Sequence, residues 1–276
     1  MPRIGMNPNR QAQAERFTNT VLTCVTHLPH QNGYHANRLE VIQTCLETMR
    51  WNANGDYTVI VWDNGSCDEL RDWLRNKYIP DVLIESINIG KTQARLNLAM
   101  MLGGRTMAYT DDDILFMPNW LSPQLDLLHN YPNVAAVTGY LVRTAFRWGV
   151  ENTIKWASTH GKMTAGRFIP SEWERDFAIS IGRDPQAHEE MTRNDIDYKV
   201  EYNGRTAYLT SHHCQFVAHA SAVVLASQRD ASAMGDEKPF DVALDKLGLR
   251  LATTERLTRH IGNVMDAEIR RAVNFQ

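Results

Sequence analysis

The chain is short of cysteine, and the four it has, Cys24, Cys45, Cys67 and Cys214, form no Cys-x-x-Cys pair. That scatter excludes a thiolate zinc site and a disulfide framework, and it fits a reducing compartment, here expected to be the cytoplasm. Long apolar runs are missing too. The longest mostly apolar stretch, Val217 to Ala226, is broken by His219 and Ser221 and falls far short of the ~20 residues that span a bilayer. No membrane span is expected. Neither sign of charge is in excess: 29 Lys and Arg face 32 Asp and Glu, a net charge of -3, which leaves no electrostatic case for nucleic acid as a partner. Glycine is absent from Thr26-His-Leu-Pro-His30, just after the first expected strand, so neither a Rossmann G-x-G-x-x-G turn nor a P-loop is available there. Met1 to Arg16 lack the apolar centre of a signal peptide, and residues 1–17 are expected to form a flexible tail.

What is present is a regular alternation. From Thr20 to Asp113, short β-branched runs alternate with segments of helical spacing, the signature of βα units. Strands are expected at Val21–Val25, Tyr57–Trp62 and Val82–Ile87, and one through Thr106–Thr110. Between them, Val41, Ile42, Cys45, Leu46 and Met49 mark one helix face; Leu70, Trp73 and Leu74 mark a second; Ala94, Leu98 and Met101 mark a third. Ser66, with Glu69 three residues on, is expected to cap the second helix. Residues 143–207 are polar and interrupted by Gly and Pro, so loops and short helices are expected rather than a second regular sheet. Near the C-terminal end, Val242 to Leu247 predict a helix stopped at Gly248, followed by a strand over Leu249–Thr253.

Three polar segments fall at expected strand ends: Asp63-Asn-Gly, Asn88-Ile-Gly90 and Asp111-Asp-Asp113. In open α/β sheets ligands bind outside the carboxyl ends of strands. Adjacent carboxylates there repel one another unless water or a hard divalent ion neutralises them. On an extended chain Asp111 and Asp113 point to one side, an oxygen site suited to Mg²⁺ or Mn²⁺ with positions left for phosphate.

These residues resemble the GT-A fold, glycosyltransferase family 2 in particular, over roughly residues 18 to 263. The resemblance is carried by Val59-Ile-Val-Trp-Asp-Asn-Gly-Ser66 with Asp68, by Asn88-Ile-Gly-Lys-Thr-Gln-Ala-Arg-Leu-Asn97, by Asp111–Asp113 with Pro118-Asn-Trp-Leu121, and by His260-Ile-Gly262. It implies an α/β, Rossmann-like nucleotide-diphospho-sugar transferase with a mixed sheet flanked by helices. Residues 18–276 would form a single domain, 18–121 its nucleotide-binding half and 122–276 its acceptor-binding half. The implied reaction is metal-dependent transfer of a sugar from a nucleoside-diphosphate sugar to a hydroxyl acceptor (glycan, lipid-linked or small molecule), with inversion.

Carried over residue by residue, the resemblance assigns the donor nucleotide to Asp63, Gly90, Lys91, Arg95, Asp111 and Asp112, and Mn²⁺ or Mg²⁺ to Asp111, Asp113 and His260. The family's late acidic pair is less plainly matched. Glu237 is preferred as general base, with Asp236 and Asp241 as alternatives. His212 and His213, neighbours on an extended chain, would point to opposite faces and chelate one ion poorly, and are expected to be core-edge or acceptor-site residues. Trp148, Trp156 and Trp173 are candidates for stacking on sugar rings. Two other readings stay open: a sugar-phosphate nucleotidyltransferase, which wants a glycine-rich loop that Thr26–His30 does not offer, and a non-catalytic carbohydrate-binding or scaffold protein on the same fold.

Overall fold

A computed structural model describes residues 17–228 and 237–273; Asp236 and the expected tail up to residue 16 lie outside them. β1 (Thr20–Thr26) is followed by α1 (Arg38–Trp51), β2 (Thr58–Asn64), α2 (Asp68–Trp73), β3 (Val82–Ser86), α3 (Lys91–Leu102) and β4 (Thr106–Asp111). The four strands are parallel, in the order β3-β2-β1-β4. β1 is buried along its whole length, as a parallel strand covered on both faces must be. Alternate residues go to opposite faces. Leu22, Cys24, Val59 and Val61 share a core with α1 and α2, while Val21, Val25, Ile60 and Trp62 share one with α3.

After β4 come the short β5 (Ile114–Phe116), α4 (Leu121–Asn130) and β6 (Val134–Thr138). The next stretch holds α5 (Glu151–His160), β7 (Lys162–Gly166), α6 (Ser171–Ser180), α7 (Pro185–Thr192), β8 (Asp197–Tyr202) and β9 (Arg205–Tyr208). Loops and short helices were expected here, and the structure corrects this: β9, β8 and β7 extend the main sheet as antiparallel strands. β7 is its edge, Lys-Met-Thr-Ala-Gly, mostly exposed, and an edge strand without β-branched alternation leaves little trace in sequence.

The remaining elements are β10 (Gln215–His219), α8 (Ala220–Gln228), α9 (Lys238–Leu247), β11 (Leu249–Ala252), β12 (Thr258–His260) and α10 (Ala267–Val273). β10 enters antiparallel between β4 and β6, giving the ten-stranded order β3-β2-β1-β4-β10-β6-β11-β9-β8-β7, while β12 pairs with β5 in a separate two-stranded sheet. The result is the expected mixed α/β sheet flanked by helices. α9 stops at Leu247 as its sequence predicts. Gly248 is needed for space rather than for a left-handed turn, since a Cβ there would come within 2.2 Å of the Asn133 carbonyl oxygen.

Two local expectations are corrected. The Ser66 hydroxyl accepts the Leu28 N–H at 3.0 Å, and Cys67 is the N-cap of α2. On α3 the buried face is Ala94, Leu98, Ala99 and Leu102, with Met101 exposed. Among the described residues no helix is long and apolar enough to cross a membrane.

Candidate active site

The carboxyl ends of the parallel strands open on one cavity of about 470 Å³, lined by His27, Asn64, Asn88, Gly90, Lys91 and all three aspartates, with Tyr34, His35 and Arg38 along its far side. Another cavity, about 620 Å³, lies by α6 and α7 against Arg143, Glu174 and His188, but no parallel strand ends there. The strand-end turns lock together. Gly65 has φ +82, and a Cβ on it would meet the Asn88 amide nitrogen at 2.7 Å. Asn64 accepts the Ile89 N–H at 2.9 Å and donates to Asn88 Oδ1 at 3.1 Å, which also takes the Gly90 N–H at 2.9 Å. Gly90, with φ +84, turns the chain into α3, so the helix's N-terminus abuts the cavity, where anions are favoured.

Two residues expected at the donor, Asp63 and Arg95, are enclosed rather than open to this cavity. Asp63 is fully buried and is not among the residues lining this cavity; it accepts the Ser66 N–H at 3.2 Å and Arg71 Nε at 3.0 Å. The strand period explains it: Val59 and Val61 face α1 and α2, so Asp63 does too, and Asn64 takes the cleft side. Arg95 is likewise fully enclosed, 2.8 Å from Glu237 and 3.8 Å above the Phe240 ring. It underlies the site from behind.

Arg38 holds two of the aspartates, and Asp111 has other partners. β4 ends at Asp111 and the chain turns, so the extended two-pronged geometry does not form. Asp111 receives Tyr109 OH at 2.9 Å and Lys91 Nζ at 3.2 Å. Asp112 is held by Arg38 and by the His27 N–H at 3.0 Å. Asp113 receives Arg38 NH1 at 3.0 Å, with His260 Nε2 3.5 Å away. Burial raises the Asp112 carboxyl, and Arg38 only partly offsets this. Burial opposes ionisation of Asp113 as well, but His260 and Arg38 outweigh it and hold its pKa below the ordinary value.

Whether this corner suits a divalent cation is decided by its free lone pairs. Asp113 Oδ1 is buried with no hydrogen-bond partner. The His260 Nδ1 lies 2.7 Å from Ser180 Oγ, so Nε2 is the nitrogen turned to Asp113. An ionised oxygen without a donor beside an oriented imidazole fits a hard or borderline cation. Asp111, committed to Tyr109 and Lys91, is not brought to that corner.

The acidic candidates separate as well. Glu237 is 3.0 Å from Lys91 and 2.8 Å from Arg95; burial works against its ionisation, but the two cations prevail and bring its pKa down to about 2. The carboxylate expected to serve as the base is thus engaged by two cations. Asp241 is buried between His213 Nδ1 at 2.9 Å and Arg250 NH2 at 2.8 Å. Asp236 lies outside the described residues. The two neighbouring histidines depart from expectation: His212 bridges to Gln215 across a turn at 213 and 214 rather than continuing a strand, and their rings lie 4.4 Å apart. Burial, then His213 and His260, drive the His212 pKa well below the ordinary value. None of the three tryptophans lines the cleft: Trp156 packs on Tyr131 and Tyr202, Trp173 lies under Arg256 and Trp148 under Lys238.

Parallel strand ends, a helix N-terminus with a lysine, and a carboxylate–imidazole corner thus lie together at one end of the α/β sheet. The sequence model of the family described as "Glycosyl transferase family 2" matches residues 34–181, more than half of the 276, and the chain belongs to that family. No curated protein matches it. Similar solved structures include GalNAc-T7 with UDP, GalNAc and Mn²⁺, at 12% identity over 89% of this chain and 44% of that one, TM-score 0.47. Another is the mannosyltransferase PcManGT from Pyrobaculum calidifontis with GDP-Man and Mn²⁺, at 21% identity over 47% of this chain and 37% of that one, TM-score 0.35. The chain thus matches less than half the length of either.

Proposed function

We propose that the chain transfers a sugar from a nucleoside-diphosphate sugar to an acceptor hydroxyl, with Mn²⁺ or Mg²⁺ and with inversion at the anomeric carbon. The observation that carries this reading is the meeting, in one cavity, of the N-terminus of α3 with Lys91 and Asp113, whose carboxylate keeps an unpartnered oxygen and lies 3.5 Å from His260. Lys91 and the α3 amides suit a diphosphate. Asn64 and Asn88, at the β2 and β3 ends, take the place near the base that Asp63 was expected to hold. Asp113 and His260 would hold the cation, which supplies neutralisation of charge on the departing diphosphate. A thermal-shift panel tests this: UDP or GDP with Mn²⁺ should raise Tm more than nucleotide or Mn²⁺ alone, by mass action on the folded state. No shift with any nucleoside diphosphate, with or without metal, would remove the basis of the reading.

Ser180 gives a more local check. Its hydroxyl fixes the His260 ring from α6, and partners of this kind typically contribute ~10–100-fold to metal affinity. Ser180→Ala is expected to weaken Mn²⁺ binding by about that factor in titration calorimetry, with the fold unchanged. Equal affinity in both proteins would mean that the ring is held by its other contacts, Phe177 and Tyr140.

A further inference from the structure

We infer that His213, oriented by Asp241, is the general base that takes the acceptor's proton, an assignment that rests on the transfer reaction proposed above. A carboxylate only accepts hydrogen bonds, so at 2.9 Å from Asp241 Oδ2 the His213 Nδ1 carries the proton and Nε2 keeps its lone pair. Asp241 itself cannot meet an acceptor. Its side chain is only 3% exposed and its other oxygen faces Arg250, whereas the His213 side chain is 21% exposed. The imidazole is the accessible end of the pair.

The pair is also fixed in place beside the donor site. Arg250, fully buried, donates to the Ser211 carbonyl at 2.5 Å and to Ser211 Oγ at 3.0 Å while pairing with Asp241. One guanidinium therefore holds both the carboxylate and the chain segment that carries the ring. The next residue, Cys214, accepts the Asp111 N–H on its carbonyl at 2.7 Å, which sets the 212–214 turn against the end of β4. The charged and titratable groups around the ring are Asp241 from α9 and Glu237 at its N-cap, Arg250 from β11, and His212 and Cys214 on either side in the chain, with Lys91 and Asp111 beyond Glu237 and Cys214. Glu237 is already neutralised by Lys91 and Arg95.

The step balances without a further reactant. The acceptor O–H bond breaks, its proton goes to His213 Nε2, and the oxygen's electron pair forms the new bond to the anomeric carbon. The bond from that carbon to the diphosphate oxygen breaks, and its electrons leave with the diphosphate. The imidazolium is stabilised by Asp241 and returns its proton to solvent. An imidazole with a free Nε2 lone pair is better placed for this than a carboxylate already engaged by two cations.

The test uses UDP-glucose, UDP-GalNAc and GDP-mannose with Mn²⁺, p-nitrophenyl glycosides or water as acceptors, and release of UDP or GDP as the readout. His213→Ala should lower kcat by ~10²–10⁴-fold, with nucleoside diphosphate affinity within about twofold of wild type by titration and partial rescue by added imidazole. Asp241→Asn should lower kcat in the same direction, and His213→Gln serves if the alanine variant does not fold. Near-normal turnover in His213→Ala and His213→Gln, no imidazole rescue, or a nucleotide affinity that falls as far as kcat would overturn the assignment. So would stoichiometric zinc held by His212, His213 and Cys214 and lost with His213. If wild type binds no nucleoside diphosphate and releases none, the transfer reading itself fails, and this inference with it; an active wild type beside an active His213 variant sinks the base alone.

Discussion

Asp113→Ala is expected to lower the rate of donor turnover on the order of 10³-fold, because several kcal/mol of leaving-group stabilisation is at stake and each 1.36 kcal/mol is a factor of ten. EDTA should have the same effect on wild type, with Mn²⁺ or Mg²⁺ restoring activity. The expectation comes from the one buried carboxylate oxygen of the triplet that no protein donor satisfies, Asp113 Oδ1, with His260 Nε2 across from Asp113 Oδ2. Asp111 and Asp112 are already answered by Lys91 and Arg38, so their loss should weaken donor binding more than it removes the cation. Steady-state release of UDP or GDP from their sugars, measured with and without EDTA, checks this. Full activity in EDTA would contradict it.

Glu237→Gln is expected to cost about 3 kcal/mol of stability, because it leaves the fully buried Arg95 guanidinium without its counter-charge. The same figure follows from titration. A carboxyl with pKa 4.5 in the unfolded chain and about 2 when folded contributes roughly 3 kcal/mol that is fully present above the unfolded value and lost as pH falls through the folded one. Urea unfolding should therefore separate wild type from Glu237→Gln clearly near neutral pH and progressively less at about pH 3 and below. Equal stabilities at neutral pH would mean that stacking on Phe240 is enough to hold Arg95.

The parallel half of the sheet was legible because β-branched runs and 3.6-residue spacing are what buried strands and their covering helices require. The same rule, applied one residue further, would have turned Asp63 away from the cleft: Val59 and Val61 fix the face, and Asp63 follows. The antiparallel extension was not legible, since β7 lies at an exposed edge where apolar alternation is not needed. Asp113 and His260 lie 147 positions apart in sequence and meet only because β12 pairs with β5, a contact that needs the family resemblance or the structure to find. Glu237 illustrates a different limit. Its acidity was visible, but its two cations come from α3, and a carboxylate's basicity depends on neighbours that sequence order hides. His213 was discounted as a chelator on the assumption of an extended backbone, whereas the turn at 213 and 214 puts both rings side by side and lets Asp241 orient one of them.

The central claim is that a cation joins the nucleoside diphosphate to Asp113 and His260. It is tested most directly by diffraction from crystals grown with UDP or GDP and Mn²⁺, using data collected above the manganese edge. The account predicts one anomalous peak at bonding distance from an Asp113 oxygen and His260 Nε2, with the diphosphate on its far side near Lys91. A bound nucleotide with no such peak, or a peak confined to the His212–Cys214 turn, would contradict it.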